Sequence, residues 1–312
     1  VVIVFFGIQQ AGGWDVVMQN ASALPGYLNL ARGHNMATGE ASTYGALSIV
    51  STLAWGLGYF GMPHILLRFM AIRDENKLKI SRRIASVWVV ISMFVAILIG
   101  IIGYSVSLNG KIPVFSSSAE SETVIVQLAG LLSRHGVFFA LAAGVVLAGI
   151  LACTMSTADS QLLTAASSVS QDLLQDFFHV KMSEGASMLV ARGTVIAIAL
   201  VSVVLAWDPN SSVFTIVSFA WAGFGAAFGP VMLFALFWKR SNKWGALAGM
   251  ITGGVMVFAW KYLVRPIGGA WNIYELLPAF LVACVAIVAV SLATASPAQD
   301  ICDEFDAVKA VR

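Results

Sequence analysis

The feature that most restricts this chain is a series of unbroken apolar stretches, each about as long as a lipid bilayer is thick. A membrane-spanning helix needs roughly 20 mostly apolar residues. Seven such stretches are read at about 44–66, 85–107, 137–160, 188–207, 213–238, 244–264 and 276–295. The chain also opens on an apolar run, VVIVFFG, without a Met, a basic leader region or a cleavage motif. That run reads as a truncated span, so the sequence is expected to start partway through a helix. Strands that cross a bilayer must alternate and close into a barrel, whereas these runs are continuous. The expected class is all-α: a polytopic membrane protein of about seven full transmembrane helices plus a truncated one.

Composition agrees. Hydrophobic residues make up 59% of the 312 positions, charged residues 11%, and the mean hydropathy is +0.85. That is more apolar surface than a soluble fold of this length can hide, so the lipid bilayer is an expected partner. The formal net charge of +2 is small, and the basic residues sit in short clusters. Nucleic acid is therefore not an expected partner. Cys153, Cys284 and Cys302 are too scattered for a disulfide framework and lie at no zinc-ligand spacing, so no transition metal is expected. His34, His64, His135 and His179 lie in loops or at span ends without a nucleophile or acid beside them, and no enzyme is expected.

Lys and Arg set the orientation, because cytoplasmic loops retain positive charge. One side carries Arg68, Arg73, Lys77, Lys79, Arg82 and Arg83, then Lys181 and Arg192, then Lys239, Arg240 and Lys243, then Lys309 and Arg312. The other carries only Arg32, Lys111, Arg134, Lys261 and Arg265. The richer side is expected to be cytoplasmic, C-terminus included. Two connections have their own character: 107–124 is a long, Ser-rich external loop, and the helical spacing from Asp172 to Phe178 suggests a short interfacial helix.

The span near 137–160 runs on through GILACTMSTADSQLLTAASSVSQDLL as one long helix that turns from apolar to hydroxyl-rich. On a 3.6-residue period Gly149, Cys153, Ser156, Thr157, Ser160, Thr164, Ser167 and Ser168 fall near one face. Sodium, a hard cation, prefers oxygen. The Ser156 and Thr157 hydroxyls with the Cys153 carbonyl offer three oxygens from that face. Against this stands ordinary behaviour: Ser and Thr in membrane helices often bond back to the carbonyl one turn earlier. Asp159 adds weight to an ion path, since a carboxylate at membrane depth is costly, although a hydrated vestibule residue is the other reading.

A second constellation is AWGLGYFGMPH at 54–64, where three glycines and a proline interrupt a span. Such an interruption points to a discontinuous helix and a binding site. Trp55 and Tyr59, four apart, are expected on one face, offering apolar walls and a hydroxyl to a small ringed zwitterion. The competing reading is an interfacial aromatic pair with glycines for helix contact. A third segment, AWAGFGAAFGP at 220–230, suggests close helix packing or a hinge before Pro230.

These residues resemble the sodium/solute symporter family, and within it the sodium/proline symporters. The resemblance rests on WGLGYFGMPHILLRFMA at 55–71, MSTADSQLL at 155–163, SFAWAGFGAAFGPVMLFALFW at 218–238 and GALAGM at 245–250, in that order. It implies a core of two inverted five-helix repeats, the fold of sodium-coupled amino-acid transporters. Residues 1–238 would then hold the end of the first repeat and the whole second one, 239–295 two additional helices, and 296–312 a cytoplasmic tail. By the same resemblance Na+ is the coupling ion, bound by Ser156, Thr157 and the Cys153 backbone, with Asp159 and Ser160 as further candidates. Trp55, Tyr59 and Pro63 match the solute-binding wall. Asp159-Ser160 departs from relatives that carry Ser-Cys or Ser-Ser, and a carboxylate there would strengthen cation binding or bring proton dependence. The first broken helix, which completes both sites, would lie outside this sequence. The implied function is sodium-coupled symport of a small solute, proline first; pantothenate, a monocarboxylate or a transporter-like sensory module are the alternatives.

Overall fold

A computed structural model describes residues 1–35, 38–74, 77–207 and 212–310. In chain order its elements are α1 (Val2–Ala11), α2 (Trp14–Ala23), the paired three-residue strands β1 (Arg32–His34) and β2 (Ala41–Thr43), α3 (Ala46–Ala54), a 3₁₀ segment (Trp55–Gly61) and α4 (Pro63–Met70). Then come α5 (Lys77–Leu108), α6 (Ser118–Ser121), α7 (Val124–Ser133), α8 (Val137–Ser167) with a π-helical extension (Ser168–Phe177), α9 (Glu184–Leu205) and α10 (Val213–Phe237). The chain closes with α11 (Lys243–Ala259), short turns to Trp271, α12 (Leu276–Ala293) and α13 (Gln299–Ala310). The all-α class holds. Among the described residues six helices are long and apolar enough to cross a membrane.

The stretch read as a seventh span, 44–66, is not one helix. α3 passes into a 3₁₀ segment, Met62 is extended (φ −87°, ψ 110°), and Pro63 starts α4. Pro63 is the physical reason: it disfavours helix at the residue before it and suits the first helical turn. Other boundaries also moved. Lys77, Lys79, Arg82 and Arg83 lie inside α5 rather than in a loop, since Lys and Arg are good helix formers. The expected loop at 107–124 contains α6, and α7 follows it unforeseen because its ten residues are too few to register as a span. The separate helix expected from Asp172 is instead continuous with α8, its turns widened to π geometry. The tail, read only as polar, forms α13; its Arg312 lies outside the described residues.

Two compact units emerge, one of Val1–Ser42 and Ile72–Val213, the other of Thr43–Ala71 and Phe214–Arg312. In the first, α1 turns into α2 through Gly12 and Gly13, both at positive φ (98° and 112°) where a side chain would be strained. Ile3, Phe6 and Val17 pack on Ile102 and Val106 of α5 and on Leu128 and Leu132 of α7. Gly7 lets α1 close on α5, since a Cβ there would strike Ile102. The most apolar stretches of α5 and α9 bury nothing within the chain. Such surface is stable only against lipid or further protein.

In the second unit small residues set the spacing. Gly245, Gly249 and Gly253 repeat every fourth residue along α11, the arrangement that lets membrane helices approach closely. Gly245 and Gly249 face Ser291 and Ile287 of α12, and Gly253 faces the carbonyl of Ala226 in α10. That carbonyl is one turn before Pro230, which has no N–H to give it. Gly253 thus brings its bare backbone against the turn of α10 that Pro230 deprives of one N–H donor. α10 nevertheless runs unbroken through Pro230, so of the two readings of 220–230 the structure favours close packing over a hinge at the proline. At the far end of α11, Arg265 pairs with Glu275 at 2.8 Å, a carboxylate whose side chain is only 2% exposed.

Candidate functional site

The hydroxyl face forms on α8 because nothing interrupts the helix. From Val137 to Ser167 the sequence contains no Pro and no adjacent glycines, and the good helix formers Met155, Gln161, Leu162 and Leu163 flank the Ser156–Ser160 patch, so successive hydroxyls hold one register. The Cys153 carbonyl accepts from Ser156 Oγ at 3.0 Å and from Thr157 Oγ1 at 3.2 Å. Ser160 Oγ donates to the Ser156 carbonyl at 2.9 Å, and Thr164 Oγ1 to the Ser160 carbonyl at 2.8 Å. Each hydroxyl thus uses its one hydrogen on the preceding turn and keeps two lone pairs.

Back-bonding on this face therefore leaves hydroxyl lone pairs open to a cation and does not exclude one. Oxygens sharing one hard cation at about 2.3–2.6 Å lie roughly 3–4 Å apart, the spacing at which Cys153 O meets the two hydroxyl oxygens. The three are not equivalent, however. Ser156 and Thr157 direct lone pairs away from the helix, while the Cys153 carbonyl already accepts two hydrogen bonds.

Asp159 does not join the cluster. At about 100° per residue it is turned roughly 120° from Cys153, while Thr157, Ser160 and Thr164 lie within about 40° of it. It is exposed, like Ser156 and Thr157. Below the face the helix widens. The Gln175 side chain donates to the Ser170 carbonyl at 3.2 Å and to Ser187 Oγ at 3.1 Å, tying the π segment to α9.

The second candidate group belongs to the other unit. Trp55 lies nearly parallel to Phe214, Trp221 and Tyr274, with ring centroids 5.5, 5.5 and 5.9 Å away. Tyr59 meets Trp221 edge-on at 4.8 Å. The Trp221 indole N–H donates to the Trp55 carbonyl at 2.9 Å, and the Tyr274 hydroxyl donates to the Ser218 carbonyl at 2.6 Å. The result is an aromatic wall with two hydroxyls, that of Tyr274 committed to the Ser218 carbonyl and that of Tyr59 on a residue 52% exposed.

Trp55 and Tyr59 do not share a helix face as expected. The segment is 3₁₀, where a step of four residues turns about 120° rather than about 40°; they meet through Trp221 instead. The glycines divide. Gly58 and Gly61 abut α10, where a Cβ on Gly58 would land on the Trp221 indole and one on Gly61 would come within 2.9 Å of the Gly225 Cα, while Gly56 faces open space. Pro63 is half-buried at the start of α4 and shapes the break.

Sequence reasoning missed Trp221 and Tyr274 as members of this wall. Trp221 stood inside a motif read only for its glycines, and Tyr274 in a connection with no periodic signal. Burial, reinforced by the neighbouring Glu275 carboxylate, pushes the Tyr274 hydroxyl above its ordinary pKa, and so keeps it a donor.

The family model of the sodium:solute symporter family matches residues 1–253. The chain belongs to this family. Its members are transporters, not enzymes. Among curated relatives, the chain is 37% identical to the high-affinity proline transporter PutP of Bacillus subtilis over 305 residues, covering 98% of this chain and 59% of that protein. It is 43% identical to a sodium/proline symporter of Haemophilus influenzae over 260 residues, covering 83% and 51%. It is 40% identical to the osmoregulated proline transporter OpuE of Bacillus subtilis over 253 residues, covering 81% and 49%. The chain thus spans about half the length of the curated relatives it matches.

Proposed function

We propose that this chain is part of a sodium-coupled symporter that takes up proline by alternating access. The observation that carries the reading is the oxygen cluster on α8, Ser156 Oγ and Thr157 Oγ1 gathered around the Cys153 carbonyl, in a chain whose relatives are sodium/proline symporters. Ser156 and Thr157 are the principal sodium ligands. Cys153 O joins only as it releases a hydroxyl hydrogen. Ser160, one turn on, lies on the same face, and Asp159 acts at a distance as a field charge.

The wall of Trp55, Tyr59 and Trp221 receives the solute. Its rings suit an aliphatic ring by contact, and the Tyr59 hydroxyl suits the charged end of a zwitterion. Pro63 positions this wall through the break at Met62. Proline fits better than pantothenate, which is longer, or a monocarboxylate, which has no ammonium group.

Coupling is a difference in affinity: sodium stabilises the outward-facing state and thereby orders the solute site, and the reverse holds equally. The repeat core takes in 1–238, with two further helices to 295 and the tail beyond. The charge asymmetry of the connections supports a multi-pass protein of the bacterial inner membrane with its C-terminus in the cytoplasm.

The test uses the full-length protein in proteoliposomes with an inward sodium gradient and labelled proline. Uptake should require sodium and should be lost in Thr157→Ala. Proline uptake indifferent to sodium sinks the coupling claim. Sodium-driven uptake of labelled pantothenate or of a labelled monocarboxylate, with none of labelled proline, sinks the substrate claim.

A further inference from the structure

Where α10 ends and α11 begins, a cavity of about 560 Å³ opens beneath α13. Its rim carries Lys239 and Lys243 and is flanked by Trp238 and Trp244, while Val231 of α10 and Ile301 and Phe305 of α13 line it with apolar surface. The loop is held rigid. Asn242 caps α11 through Gly245 N at 2.9 Å and donates to Thr294 Oγ1 and the Ala295 carbonyl, and Arg240 is spent on the Thr294 carbonyl at 2.7 Å. Two ammonium groups remain. Lys243 lies 5.3 Å from the Trp244 ring. Lys239 is paired with Asp306 of α13, an anion supplied from within the chain.

We propose that this cavity is a binding site for an anionic phospholipid, with the headgroup phosphate between Lys239 and Lys243 and the glycerol and first acyl carbons against Val231, Ile301 and Phe305. Three features select a lipid over a soluble anion. The cavity sits at the ends of three helices of membrane-spanning length, so its mouth lies at headgroup depth. Tryptophans flank it, as they do at membrane interfaces. Its lining is mainly apolar, whereas a site for free phosphate would be polar throughout. The Asp306 carboxylate then acts as a competitor: α13 closes on Lys239 when the lipid is absent and yields when it is present. This site is independent of the sodium and proline reading.

The experiment is native mass spectrometry of the full-length protein released from mixed vesicles of phosphatidylglycerol and phosphatidylcholine with matched acyl chains. Wild type should retain phosphatidylglycerol preferentially, and retention should fall about fivefold for each lysine removed in Lys239→Ala and Lys243→Ala. Asp306→Asn should raise retention, an effect that misfolding would not produce. Equal retention of the two lipids, undiminished retention in the double lysine variant, or displacement by inorganic phosphate as effective as by lipid each overturns the proposal.

Discussion

The indole N–H of Trp221 donates to the carbonyl of Trp55 at 2.9 Å while the two rings stack 5.5 Å apart, so one residue of α10 both caps and flanks the 3₁₀ segment. Trp221→Phe keeps an aromatic ring and removes the donor; it should cost about 1–3 kcal/mol, the penalty for a carbonyl left without its partner. Gly58→Ala should cost more, because its methyl group meets the Trp221 indole. In a Trp221→Ala background that cost should largely vanish. Thermal unfolding of the four proteins in one detergent measures the coupling; additive losses would show that the two positions do not interact.

Much of this was legible in the sequence. Apolar length alone identified α5, α8, α9, α10, α11 and α12, because lipid imposes one solution on such stretches. The hydroxyl face of α8 was legible too, since an uninterrupted helix converts spacing directly into geometry. The broken span was legible as broken from Pro63 and its glycines, but its 3₁₀ pitch was not, and that pitch decides where Trp55 and Tyr59 point. Tyr274 and Trp221 joined the wall through tertiary packing, which leaves no periodic trace.

Adjacent glycines on α11 make a stringent comparison. Gly253→Ala should destabilise by about 1–3 kcal/mol, because a Cβ there comes within 2.7 Å of the Ala226 carbonyl carbon and neither backbone has room to give. Gly254, with nothing within 4 Å of the same added atom, should tolerate Ala or gain up to about 1 kcal/mol from better helix propensity. Equal effects at both positions would refute the packing assigned to α11.

At the hydroxyl face of α8, the proposed sodium site, the orientation of Asp159 separates two roles. With Thr157→Ala, sodium should no longer raise the melting temperature of the full-length protein. With Asp159→Asn the sodium-dependent shift should persist, reduced by no more than a small factor. Loss of the shift in Asp159→Asn alone would make the carboxylate a direct ligand.

Tyr274 gives a pH prediction. Its folded pKa lies above the ordinary value of about 10, so the neutral hydroxyl is favoured by folding. The stability it contributes is fully present below pH 10 and is lost as pH rises through the folded pKa. In an alkaline absorbance titration one tyrosine should ionise after the others, and that late component should be missing in Tyr274→Phe. A titration unchanged by the substitution would contradict the burial and the hydrogen bond to Ser218.

α8 and its π extension run 41 residues, well beyond what a bilayer requires. At about 1.5 Å per residue, Thr157 lies roughly 30 Å along the axis from Val137, close to a full hydrocarbon thickness. If Val137 marks the external boundary, a sodium ion held by Ser156 and Thr157 has already crossed most of the electric field by the time it is bound. The membrane potential, worth about 2.3 kcal/mol per charge per 100 mV, would then act chiefly on the ion's arrival and little on its departure. Polarising the membrane would sharpen apparent sodium affinity and leave the rate of release nearly untouched.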